Sequence, residues 1–224
     1  MPRELTDLPF ADLLEPAGAI AREGEYDCLR FDDAVLTAPD AAHTVFDQCA
    51  FRSVQVDGGS LRGARFTEAW LHGVRITGTD LADAAWMDAE VVEGAWSGVE
   101  ASGTELRRVE FHNCKLDSVN FRGAALTKVR FVDCVLRHVD FGGATLNEVD
   151  FAGSEISALM VRDARLTKVD FRGRRHCASP KGSPPCAVRS SPRTNCSTSP
   201  RRSPRPSDCW SNRSRAATIS AARG

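Results

Sequence analysis

Eight carboxylates recur on a twenty-residue beat. Asp40, Asp80, Glu100 and Asp140 form one set, with Ser60 and Asn120 at the positions between them. Glu90, Glu110, Asp150 and Asp170 form a second set, interrupted by Arg130. Two readings compete for both sets. As an acidic surface, regularly spaced carboxylates imitate the phosphates of DNA. As turn residues, short polar side chains bond to nearby backbone and serve the fold alone. Other reactive groups are sparse. The histidines are His43, His72, His112, His138 and His176, and none belongs to an HxxxH pair, a Ser/His/Asp constellation or a phosphate-binding loop. Cys114 and Cys134, also twenty apart, read either as a disulfide or metal pair or as small core residues. The second reading is favoured, because Ala34, Val54, Val74, Gly94 and Ser154 occupy the equivalent positions. We expect no catalytic residue, no cofactor and no metal.

The elements that position these groups follow a shorter period. From Phe111 to Phe151 a Phe or Leu returns every five residues: Phe111, Leu116, Phe121, Leu126, Phe131, Leu136, Phe141, Leu146, Phe151. Two residues before each stands a small or β-branched residue, such as Val109, Cys114, Val119 and Ala124. Between Tyr26 and Phe171 the phase is never lost: 28 of 30 central positions are large and apolar, the exceptions being Ala41 and Ala101. A helix face returns every 3 or 4 residues and a strand face every 2, so neither explains the pattern. Five residues forming one side of a coil, two of them pointing inward, do explain it.

These residues resemble the pentapeptide-repeat family, whose motif is A-(D/N)-L-x-x with Leu or Phe at the centre. The resemblance covers about two thirds of the chain and implies an all-β fold, a right-handed quadrilateral β-helix with four pentapeptides per coil. Residues twenty apart then stack, and the two carboxylate sets become columns on opposite sides. Phe31, Phe51, Leu71, Val91, Phe111, Phe131, Phe151 and Phe171 fill one inner column; the two remaining sides hold mostly Leu from residue 106 onward, so aromatic rings are expected across one diagonal with Leu across the other. A local bulge or loop is expected at Thr37–Val45, where Pro39 replaces the small residue and Ala41 the large one. Ala85–Glu105 is also irregular, with Trp86 and Trp96 at central positions. His72 and His112 share a column two coils apart, roughly 10 Å, which is too far to share a metal.

The expected organisation is an N-terminal cap over residues 1–25, the repeat body over 26–173, and a basic Ser/Arg/Pro-rich tail over 174–224. The tail holds 11 Lys/Arg and one acid, Asp208, against 18 basic and 29 acidic residues before it. Three readings of the tail stay open: a disordered segment, a nucleic-acid-binding arm, and a stretch translated out of frame. Its cysteines Cys177, Cys186, Cys196 and Cys209 match no zinc spacing. Residues 1–25 lack the apolar core of a signal peptide, and no stretch approaches a membrane span, so we expect a cytoplasmic protein that is not in the membrane.

A rod of stacked coils lacks the concave pocket that catalysis usually needs. The expected function is therefore non-enzymatic: a rigid surface for protein–protein interaction with an unknown protein partner. The resemblance adds a rival, because some family members mimic duplex DNA and bind DNA gyrase or topoisomerase IV. Duplex DNA of about 36 Å carries about 21 charges. Residues 26–173, with 23 acids and 16 bases, carry −7, about a third of that density. The gyrase-binding members also dimerise through an apolar C-terminal helix. The sequence of residues 174–224 shows no apolar pattern for such a helix, which leaves a homodimer an open question.

Overall fold

The computed structural model describes residues 1–171. The readings of the tail, including its cysteines and His176, concern residues outside the described ones.

Short parallel strands come in threes at five-residue intervals, and each set of three is followed by a ten-residue step to the next. The first are β1 (Glu15–Pro16), β2 (Glu25–Asp27), β3 (Leu29–Asp32), β4 (Val35–Thr37), β5 (Val45–Asp47), β6 (Ala50–Arg52) and β7 (Gln55–Asp57). Each body strand pairs in parallel with the strand twenty residues later, as β2 with β5, β3 with β6 and β4 with β7. The order continues to Arg165–Thr167, which pairs with Thr145–Asp150. Three walls of the coil are thus ladders of hydrogen-bonded strands. The fourth is a run of single bridges from Asp40 through Ser60, Asp80, Glu100, Asn120 and Asp140 to Met160. The result is a four-sided parallel β-solenoid.

The corners explain the five-residue beat. Every fifth residue from Glu23 to Lys168 has positive φ, close to the left-handed region. Such a residue turns the strand sharply into the next wall, and Gly, Asn and Asp tolerate it best. Several corners are Gly, Asp or Asn, such as Gly63, Asp83, Asn113 and Gly123, but Glu, Lys and Arg also occur. The ladder on both sides holds those less tolerant residues in place.

Central residues point into the axis and stack on their counterparts one coil away. Phe111, Phe131, Phe151 and Phe171 stack at centroid spacings of 4.9, 5.0 and 5.0 Å. Phe121 and Phe141 form the column opposite at 5.3 Å. From residue 106 onward Phe and Leu occupy separate diagonals. The coils before residue 106 are packed differently. There Tyr26, Phe46, Phe66 and Trp86 stack on the wall adjacent to Phe31 and Phe51, and the columns meet edge to face, as in Phe46–Phe51 at 5.3 Å and 77°. Volume explains it: each coil must fill one cross-section, and aromatic neighbours here share the coil with Ala41, Val56 or Leu61. Likewise Trp86 and Trp96 share their coil with the small Val91 and Ala101, and their rings lie 5.7 Å apart.

No bulge forms at Thr37–Val45. Ala38 N–H donates to Asp57, and Ala41 N–H to Ser60, in unbroken register. Pro39 needs no donor at its position, its carbonyl accepts from Ser60 N–H at 2.7 Å, and Gly59 on the next coil leaves room for its backbone. A Cβ on Gly59 would run into the Pro39 nitrogen and carbonyl oxygen.

The amino-terminal segment has two parts. β1 adds to the outer edge of β3 through Glu15↔Leu29, and Ala17 and Ile20 pack against the core. Residues before β1, with short 3-10 turns at Leu5–Asp7 and Ala11–Leu13, lie on the outside of a wall. Leu8 and Phe10 are buried there against Ala50 and Trp70.

Candidate interaction surface

Each pentapeptide turns two side chains inward and leaves the other three on the wall or its corner, so the outer surface is a grid. Its columns run along the rod and its rows follow the coils. Both carboxylate sets appear as columns on opposite walls. Glu90, Glu110, Arg130 and Asp150 are successive partners, and Asp150 bridges to Asp170. Asp40, Asp80, Glu100 and Asp140 lie on the bridge wall.

On the bridge wall the polar side chains serve the backbone. Asp80, Glu100, Asn120 and Asp140 each accept from the N–H two residues on, at 2.9, 3.1, 3.1 and 2.7 Å. This is the turn role of short polar side chains. Three of the carboxylates also meet an arginine: Arg22 at Asp40 (3.4 Å), Arg62 at Asp80 (3.5 Å) and Arg122 at Asp140 (3.2 Å). Glu100 instead takes two bonds from Asn120 Nδ2, at 2.9 and 2.8 Å. Burial pushes the Glu100 carboxyl up, but the Ser102 and Asn120 donors outweigh it and hold it below the usual range.

The opposite wall is more heavily cross-linked. Glu90 is 5% exposed at its side chain and accepts from Arg3 twice, from the backbone N–H at 2.8 Å and from Nε at 2.6 Å. Trp70 Nε1 donates to the Arg3 carbonyl at 3.1 Å. Glu110 is bonded by His112 at 2.9 Å and Arg130 at 3.2 Å. Burial raises its pKa, and the His112 hydrogen bond together with the Arg130 charge more than offsets that, so it is held low. A cleft lies alongside, lined by Arg3, Phe10, Glu68, Asp88, Glu90 and Arg108. Asp88 is clamped by Arg108, whose second nitrogen lies at 2.6 Å.

The cysteines belong to the core. Cys114 and Cys134 are buried and free. Cys114 Sγ faces the Val91 and His112 carbonyls at 3.3 Å each. Its hydrogen bond to Cys134, and then burial, push the Cys114 thiol far above its usual range. Burial likewise pushes Cys49 up to about 11. Among the described residues no three metal-ligating side chains gather into a site, and no helix is long and apolar enough to cross a membrane.

The five-residue pattern did not reveal the Arg3 clamp on Glu90, which spans 87 positions in sequence. It did contain a signal for the bridge-wall pairs. Arg22, Arg62, Arg122 and Arg162 share one phase, eighteen residues before Asp40, Asp80 and Asp140 in three cases.

Comparison with family models agrees with the five-residue repeat. A family described as "Pentapeptide repeat region" matches residues 104–175, and one described as "Pentapeptide repeats (8 copies)" matches residues 30–67. No curated protein matches the sequence. Similar solved structures include HetL, a pentapeptide repeat protein involved in heterocyst differentiation regulation from Nostoc sp. strain PCC 7120, at 14% identity, 68% of this chain, 89% of that chain and a TM-score of 0.35. They also include QnrB1, a plasmid-mediated fluoroquinolone resistance protein, at 17% identity, 72% of this chain, 86% of that chain and a TM-score of 0.39. A third is Rfr23 from Cyanothece 51142, at 12% identity, 67% of this chain, 89% of that chain and a TM-score of 0.39.

Proposed function

Since this chain belongs to the pentapeptide-repeat family, we propose that it is a non-enzymatic docking rod whose flat walls bind a protein partner. The observation that carries this reading is the order of the outer grid. Strand register runs unbroken from β2 to Arg165–Thr167, and outward side chains are tied between coils, as Asp88 to Arg108 and Glu148 to Lys168 at 2.9 Å. A surface already rigid loses little side-chain freedom on binding, which leaves more of the contact energy as affinity. Both acidic columns are offered as parts of that surface, with Asp40 the more open member of one and Glu110 and Asp150 equally open in the other.

The rival reading, a DNA mimic that acts on DNA gyrase, is less well supported. Asp40, Asp80, Asp140, Glu90 and Glu110 each face a cation of the same chain, which weakens the field that a phosphate-like surface needs. A gyrase supercoiling assay separates the two, and inhibition at equimolar protein would replace the docking reading. The basic tail gives a third reading, nucleic-acid binding. A salt-dependent gel shift comparing the full chain with one ending at Gly173 addresses it.

The docking reading is tested by affinity capture with the full chain and with charge-reversed walls, Asp40→Lys/Asp80→Lys on one and Asp150→Lys on the other. A partner captured by the wild type and lost from one folded wall variant supports it. Equal capture by all variants, or none by the wild type, overturns it.

A further inference from the structure

Three strand edges face outward at the amino-terminal end, and the chain treats them differently. The edge of β3 is covered by β1. β2 ends its sheet but carries Glu25 and Asp27, charges that deter an incoming strand. β4 ends the seven-stranded sheet with neither device. Its residues are Val35, Leu36 and Thr37, followed by Ala38.

The hydrogen-bond pattern shows which groups are open. Gln55 N–H donates to the Ala34 carbonyl at 2.8 Å, and Ala38 N–H donates to the Asp57 carbonyl at 2.7 Å. In a parallel ladder alternate residues face one neighbour. Residues 34, 36 and 38 therefore face β7, and the N–H and C=O groups of Val35 and Thr37 face away from the sheet. The Val35 side chain is 62% exposed, while Leu36 packs against the core. Flanking the strand, Asp33 sits at the corner before it and Asp57 on β7 beside Thr37. Among the described residues neither makes an ion pair, unlike Asp32 and Asp40.

We propose that the open edge of β4 is a strand-addition site for an extended segment of a partner protein, with an apolar, β-branched centre flanked by Lys or Arg. The backbone groups of Val35 and Thr37 supply two donors and two acceptors. An apolar residue at the centre of the added strand continues the Leu36 column over the end of the core, and β-branched neighbours pack on Val35 and Thr37. The unpaired Asp33 and Asp57 receive the basic flanks. A second copy docking head to head fits less well, because the same end carries Glu23, Glu25 and Asp27, which would face their own counterparts. The proposal rests on the docking reading and gives that reading a place.

The test uses the full chain and a fluorescein-labelled peptide, Lys-Lys-Val-Ile-Val-Lys-Lys, read by anisotropy. Saturable binding is expected, and an analogue with Glu in place of Lys should not bind. Thr37→Pro removes a donor from the open edge only and should weaken binding about tenfold, the effect of one lost hydrogen bond to a partner. Val35→Lys keeps the backbone intact and should weaken it through charge. Asp33→Asn/Asp57→Asn should lower the affinity and flatten its salt dependence. Melting curves confirm that each variant is folded. Absence of binding to the wild type, or equal binding by the wild type and both edge variants, overturns the proposal. So does concentration-dependent dimerisation that Thr37→Pro abolishes, since the occupant is then a second copy. If a partner is captured equally by the wild type and Thr37→Pro but lost from a wall variant, the docking reading stands and the edge proposal falls.

Discussion

Phe131→Ala tests the register of the whole solenoid. Phe131 is fully buried, and its ring lies 4.9 Å from Phe111 and 5.0 Å from Phe151, nearly parallel to both. Removing it leaves a ring-sized cavity between two aromatic neighbours that the ladders hold apart at strand spacing, so little collapse can follow. Phe→Ala in such a site costs about 3–5 kcal/mol. In a domain of this size each kcal/mol lowers the melting temperature by about 2–4 °C, so a fall of roughly 6–20 °C is expected. The control is Arg137→Ala. Arg137 points outward and its guanidinium lies 3.9 Å from the Glu155 carboxylate, an exposed pair worth about 0–1 kcal/mol. Thermal melts followed by circular dichroism, with urea titrations at one temperature, provide the comparison. Equal shifts for the two variants would refute the inward and outward assignment, and with it the five-residue register.

Cys114, Cys134 and Cys49 are expected to resist a thiol reagent in native buffer and to react on denaturation, because all three are buried out of its reach; Cys28, partly exposed, is expected to react first. Glu90→Gln and Arg3→Ala separate the charge of the clamp from its hydrogen bonds. Arg3→Ala leaves a buried carboxylate short of its partner and should cost about 1–3 kcal/mol, below the range for fully buried pairs because Arg3 is 47% exposed. Glu90→Gln should cost less, as chemical denaturation of both would show. Stability should decline in acid. Arg108 holds the Asp88 carboxyl below its ordinary value of 3.8, and hydrogen bonds hold Glu100 below 4.5 despite burial. Groups depressed in the folded state stabilise it above the unfolded value and lose that contribution as pH falls through the folded one. A stability profile that is flat as pH drops from 4.5 to 2 would contradict these pairings.

The core was legible from the chain because one physical rule repeats. A residue at each fifth position must enter the axis, so Phe, Leu and small residues recur in phase wherever the coil continues, and Phe131 could be placed from spacing alone. Stacking at twenty residues followed once four sides were assumed, and it set both carboxylate columns on opposite walls. Local disturbances were harder to judge. Pro39 looked like a break, but whether a proline breaks a ladder depends on its neighbour one coil away, here Gly59. The placement of Tyr26, Phe46 and Phe66 beside Phe31 and Phe51 likewise depends on the volume of a whole coil rather than on any one position. The charge state of the outer walls was decided only in three dimensions. A carboxylate column reads as acidic until Arg22, Arg62 and Arg122 are seen to reach it from the adjoining coil. Glu90 reads as exposed until Arg3 folds back across 87 positions to cover it. Periodic burial is a property of the chain's own spacing. Pairing between charges is a property of distance, and only the folded coils bring those charges within reach.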